Sequence, residues 1–283
     1  MFQICHSWRR FSLICLASLV FCCVFHAVAT GQVQPSVPVE QPSLPSAPGS
    51  GSQPSSSQAV QQGIERYQGG KYTEAIALWQ QALTQISAAP ERAIVYSNLA
   101  IAYRQIGQLD RAIAHWEQAI QIYRSQQDNA ARSAQARLLT EQGQAYSDLG
   151  QHKRAISLLQ SAVKITQNTP NRLTEAAAQG ALGSAYWALG DYKEALAAHQ
   201  TSLKIARELN YQPYITTALN NLGNVYASRG DRYTYQAQLA KLEGNNREFS
   251  RLSQAATQDR TQGKTYFEQS WQAAQGVSGS RFL

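Results

Sequence analysis

Residues 182–202 read LGSAYWALGDYKEALAAHQTS, and their spacing decides the fold. Leu182, Gly183 and Tyr186 recur at helical steps and share one face. Gly190 follows as a stop, because glycine accepts the left-handed conformation that ends a helix. Nine residues after Tyr186 a second set begins, with Ala195, His199 and Ser202 spaced by four and three. Two amphipathic helices joined at a glycine make a hairpin. Small residues such as Gly183 and Ala195 let the helices approach closely, and large ones such as Tyr186 fill the space between neighbouring hairpins.

The same pattern recurs in both directions along the chain. Leu222-Gly223 with Tyr226 is a second complete copy of the first element. Leu99-Ala100 with Tyr103 and Gln142-Gly143 with Tyr146 are near copies, and Gly63 with Tyr67 is a looser one. The second element returns as Ala75, Trp79, Ala82 and as Ala112, Trp116, Ala119, and more weakly as Ala155, Leu159, Ala162. A turn glycine is expected between the elements each time, at Gly70, Gly107, Gly150, Gly190 and Gly230. Pro90, Pro170 and Pro213 fall between repeats, where proline stops one helix and suits the first turn of the next. Trp79 and Trp116 occupy the large packing slot of their helices.

This pattern resembles the tetratricopeptide repeat family over residues 58–275. The equivalent alanines Ala75, Ala112, Ala155 and Ala195 are 37, 43 and 40 residues apart, against about 34 in the standard repeat. The longer spacing is similar to the arrays of kinesin light chains, and more so to the N-terminal arrays of bacterial, especially cyanobacterial, proteins with a C-terminal CHAT protease-like domain. The resemblance implies an all-α, right-handed α-α superhelix of about five helical hairpins. Their spans are about 58–88, 90–125, 130–168, 171–210 and 212–275. It also implies a concave groove lined by the first helix of each hairpin. On that register the candidate groove residues are Tyr67, Ile101, Arg104, Gln144, Ser184, Trp187, Asn220 and Asn224. Trp187, one residue after Tyr186, points away from the core face and reads either as a ligand anchor or as packing on a neighbouring helix. The paired Lys and Asn positions of carboxylate-gripping relatives here hold Val60, Ile64, Ser97, Ile101, Thr140 and Gln144, so that type of clamp is not expected.

The last repeat departs from the rest. Leu219, Leu222, Gly223 and Tyr226 make its first helix, but the second appears only at 265–269. Tyr233, Leu239 and Leu242 have helical spacing, Gly244-Asn245-Asn246 is a turn, and Phe249 and Leu252 resume a helix. An inserted helical hairpin over about 231–257 is therefore expected. Trp271 falls in the slot of Leu83, Ile120, Val163 and Leu203, with a short Gly/Ser-rich tail at 276–283 behind it. Tyr266, Phe267 and Trp271 thus form a candidate terminal contact surface for self-association or a partner.

Ahead of the repeats, Arg9-Arg10, the uncharged run Phe11–Val28 and Ala27-Val28-Ala29 read as a signal peptide over 1–29. Cleavage after Ala29 would place the protein in the periplasm, the thylakoid lumen or the medium; an uncleaved segment would be a membrane anchor. Residues 30–57 hold six of the nine prolines and one charge, Glu40, and are expected to be a disordered tether. All four cysteines, Cys5, Cys15, Cys22 and Cys23, precede the cleavage site. The mature chain then has no disulfide and no thiol nucleophile.

The charge balance, 25 Lys+Arg against 18 Asp+Glu, is dispersed, with no basic run longer than two, so nucleic acid is not an expected partner. His115, His152 and His199 lie on different repeats without metal-ligand spacing. Neither a phosphate-binding loop nor a G-x-S-x-G nucleophile occurs. The sequence therefore reads as a scaffold that binds a protein or peptide, needs no cofactor and is not an enzyme. Two alternatives stay open: a regulatory or truncated part of a CHAT protease-like system, and an assembly factor of an envelope complex.

Overall fold

The computed structural model describes residues 55–126 and 128–279, with side chains as far as 275. The signal segment and nearly all of the 30–57 tether lie outside the described residues, as does the end of the tail. Among the described residues the chain forms ten helices and no strand. They are α1 (Ser56–Gln68), α2 (Tyr72–Gln85), α3 (Ala89–Gln105), α4 (Leu109–Ser125), α5 (Asn129–Asp148), α6 (His152–Thr166), α7 (Arg172–Leu189), α8 (Tyr192–Glu208), α9 (Gln212–Leu242) and α10 (Asn246–Gly279). Each odd-numbered helix packs on the even-numbered helix that follows, and α2, α4, α6 and α8 each pack on the next hairpin. The helices thus stack as a repeat solenoid.

Local chemistry sets the helix ends. Ser55 and Gln58 form a capping box at α1, so that helix starts two residues before the expected start of the array at 58. Asp128 accepts from the Ala131 amide at 2.8 Å to start α5, and Asn171 accepts from the Thr174 amide at 3.1 Å to start α7. Pro90 and Pro213 sit in the first turns of α3 and α9. The four turns at Gly70, Gly107, Gly150 and Gly190 have φ between +73° and +79°, which a β-carbon would strain.

Within each hairpin a small residue faces a large one. A β-carbon added at Gly63 would stand 2.3 Å from Trp79, at Gly143 2.7 Å from Leu159, at Gly183 2.8 Å from His199, and at Gly223 2.6 Å from Phe267. Ala100 and Trp116, both fully buried, hold the equivalent positions in the second hairpin. These contacts exclude larger residues from the small slot, because real β-carbons do not approach so closely.

The fifth hairpin corrects the expectation for Gly230. No turn forms there: α9 runs unbroken for 31 residues, and the turn moves out to Gly244, φ +74°. The insertion is a continuation of both helices of the repeat, not a separate module. Gly230 is small for a different reason, since its β-carbon would lie 3.3 Å from the Ala256 carbonyl of α10. Above it, Ala237, Ala240 and Leu252 are buried, with Tyr233 and Phe249 packed against them. Arg229 donates to both carboxylate oxygens of Asp259, at 2.6 and 2.8 Å, fixing the stem at its base. α10 also continues to Gly279, into the tail expected to be disordered. Gly276 does not stop it, because one glycine costs a helix only about 1 kcal/mol relative to alanine.

Candidate functional site

The odd-numbered helices present equivalent positions to one another. α5 touches α7, and α7 touches α9, so their inner sides join into one surface. Three of the expected groove residues act as lateral links along it. Tyr67 of α1 accepts from Gln105 Nε2 of α3 at 3.3 Å. Arg104 of α3 donates to Glu141 of α5. Trp187 of α7 donates from Nε1 to Ser228 Oγ of α9 at 3.0 Å. Tyr67, Arg104 and Trp187 hold the same slot, and Gln105 and Ser228 share another. The linkage lapses between repeats three and four. There Ser147 and Ala188 hold the two slots, and the buried Ser147 hydroxyl has no partner among the described residues.

The other expected residues divide by exposure. Ile101 is buried, 2% exposed, and closed to a ligand as the helices stand. Gln144, Ser184 and Asn224 are half-buried and Asn220 is exposed. Ser184 donates from its hydroxyl to the Gly180 carbonyl at 3.2 Å. Trp187 is half-buried against the fifth hairpin, so its indole nitrogen is already engaged. At the terminal surface Tyr266 stacks on Tyr226, ring centres 5.6 Å apart, and Phe267 fills the slot over Gly223. Trp271 remains 64% exposed.

Glu141 was not legible as a site residue. Its slot is polar in Gln61, Asn98 and Asn221 as well, broken by Ala181, and that column was the available signal. Burial pushes the Glu141 carboxyl above its usual range, against the pull of Arg104 and Arg137. Burial likewise raises Asp148, with Arg104 opposing. The Tyr214 phenol of α9 is pushed up to about 12, mainly by burial and further by Tyr211 and Glu141. The surface offers amide, hydroxyl and aromatic groups suited to the main chain and side chains of a bound segment.

The family described as Tetratricopeptide repeat matches residues 63–125, 91–168, 134–208 and 174–232, and the chain belongs to it. Its all-α repeat superhelix is the fold described above. Among curated proteins none matches the sequence. Among solved structures, the apo form of RapI superposes with a TM-score of 0.55 at 13% identity, covering 74% of this chain and 76% of that one. A Rap protein complexed with competence and sporulation factor gives 0.51 at 20% identity, over 76% of this chain and 57% of the other. TPR-like repeats of a putative kinesin light chain from Podosopora anserina give 0.52 at 23% identity, over 68% and 95%. These likenesses are of fold.

Proposed function

We propose that this chain is an exported, non-catalytic adaptor whose inner face takes a segment of another protein. The observation that carries this reading is the continuous inner surface of the odd-numbered helices. Half-buried Gln144, Ser184 and Asn224 and exposed Asn220 are available there, while Tyr67, Arg104 and Trp187 brace neighbouring repeats. A rigid scaffold presenting unspent amides can bind an extended or helical peptide without first ordering itself. The Rap protein complexed with competence and sporulation factor lends support as a relative in fold. A photo-crosslinking residue at Ser184 or Asn224 is expected to capture a partner from the host's envelope extract, while one at exposed Lys204 of α8 does not. Equal capture from both positions would overturn the groove reading.

Export rests on Arg9-Arg10, the uncharged run behind them and Ala27-Val28-Ala29. The mature protein is expected to begin at Thr30, as read by intact mass, and a mass retaining 1–29 would make the segment an anchor instead. The long repeats also favour a second reading, a regulatory or truncated part of a CHAT protease-like system. With every cysteine before residue 24, such a part would lack the thiol nucleophile after cleavage.

A further inference from the structure

The stem above Gly230 carries an apolar ridge that nothing in the described chain covers. Tyr235, Leu239 and Leu242 are 64%, 41% and 84% exposed, at spacings of four and three along α9. That spacing lines them along one side of the helix, opposite the Tyr233, Ala237 and Ala240 side that meets α10. Lower on the same side, Ser228 bonds Trp187, and Arg232 reaches the Gly190 carbonyl at 3.4 Å and lies 5.8 Å over Tyr192. The ridge is therefore the outward continuation of a face that already packs against the fourth hairpin. The fourth hairpin turns back at Gly190, whereas α9 runs on past that level.

We propose that this ridge is a self-association surface, occupied by the same ridge of a second copy running antiparallel. Pairing about a two-fold axis at Leu239 sets Leu239 against its own counterpart and Tyr235 against Leu242 of the second copy. The four-three spacing makes the two ends nearly equivalent, as a self-complementary contact requires. The charges also suit self-pairing. Asp231 is paired with Arg260 at 3.0 Å, Glu248 with Arg251, and Lys241 lies 5.5 Å over the Phe249 ring. Gln236 and Gln238 flank the ridge and exposed Glu243 stands at its tip; an antiparallel pair sets the two Glu243 side chains at opposite ends of the contact, so like charges stay apart. The stem rises roughly 20 Å beyond Gly230, at about 1.5 Å per residue. A single-helix contact of that length is small for a protein interface, which suits a weak, reversible dimer.

The test is sedimentation velocity of the full chain, purified as its own cells make it, over a range of concentrations. Wild type is expected to dimerise. Leu239→Glu and Leu242→Glu should each weaken dimerisation at least tenfold and leave unchanged the thermal midpoint read at concentrations too low for the wild type to dimerise, because these side chains are exposed in the single chain. Leu239→Glu mixed with Leu239→Lys should restore association that neither variant shows alone, a signature of residue 239 facing itself. Three results would overturn the proposal: a monomer at every concentration, association indifferent to residues 239 and 242, or association abolished by Trp271→Glu while Leu239→Glu retains it. The last would move the contact to the terminal surface.

Discussion

Replacing His199 by leucine is expected to flatten much of the protein's loss of stability in mild acid. His199 is 1% exposed, its Nδ1 has no hydrogen-bond partner among the described residues, and its ring is pressed against Gly183. Burial alone lowers its pKa from 6.5 to about 4. Between those values the unfolded chain binds the proton and the folded chain does not. The contribution of this residue is therefore full above pH 6.5 and is lost as pH falls toward 4, by about 3 kcal/mol in all. Glu141, whose pKa is raised, acts in the opposite sense: its contribution is lost as pH rises through the raised value. Comparing His199→Leu with wild type cancels that term. Leu159 over Gly143 shows that leucine suits the slot. Urea unfolding at pH 7.5, 6 and 4.5 provides the measurement. Parallel pH profiles for the two proteins would mean that His199 is not a buried neutral ring.

Trp116→Ala is expected to cost about 3–5 kcal/mol, the range for deleting a large buried aromatic. Trp116 is fully buried between Ala100 and its neighbours in the main core, with Arg104 6.0 Å over the ring. Phenylalanine provides the discriminating comparison. Trp79 donates from Nε1 to the Val60 carbonyl at 3.1 Å, whereas Trp116 Nε1 has no partner among the described residues. Trp79→Phe removes that bond, while the Val60 carbonyl keeps its partner within α1, so it should lose about 1 kcal/mol more than Trp116→Phe, the net worth of one hydrogen bond. Chemical denaturation of the two variants side by side measures the difference. A larger loss for Trp116→Phe would show that its indole nitrogen has a partner, such as a buried water.

The hairpins were legible because each is specified by neighbours in sequence. A small slot, a turn glycine and a large slot lie within sixteen residues in Gly63–Trp79, Gly143–Leu159 and Gly183–His199. In the last repeat the same pair, Gly223 and Phe267, stands 44 residues apart, and Gly230 matched the expected turn only by position. Whether a glycine turns the chain or admits a neighbouring helix depends on what lies opposite, and Ala256 lies opposite Gly230. The surface was harder to read for a similar reason. Residue type marked Arg104 and Trp187 as polar and aromatic groups of a face. Their engagement with Glu141 and Ser228 depends on how successive repeats stack, which no local pattern records.

The long stem has a geometric consequence. The inserted residues divide evenly between α9 and α10, about fourteen to each, which is two heptads or nearly four helical turns. The helices therefore leave the array and return to it almost in phase, and Gly223 still meets Phe267. A stem built in such units behaves as a telescoping mast. Taking seven residues from each helix would lower the tip by roughly 10 Å and leave its heading nearly unchanged. Taking two from each would swing the tip by roughly 160° about the helix axis while hardly changing its height. Height and heading are thus separate adjustments in this hairpin, and changing its length by whole heptads preserves the seating of the last repeat.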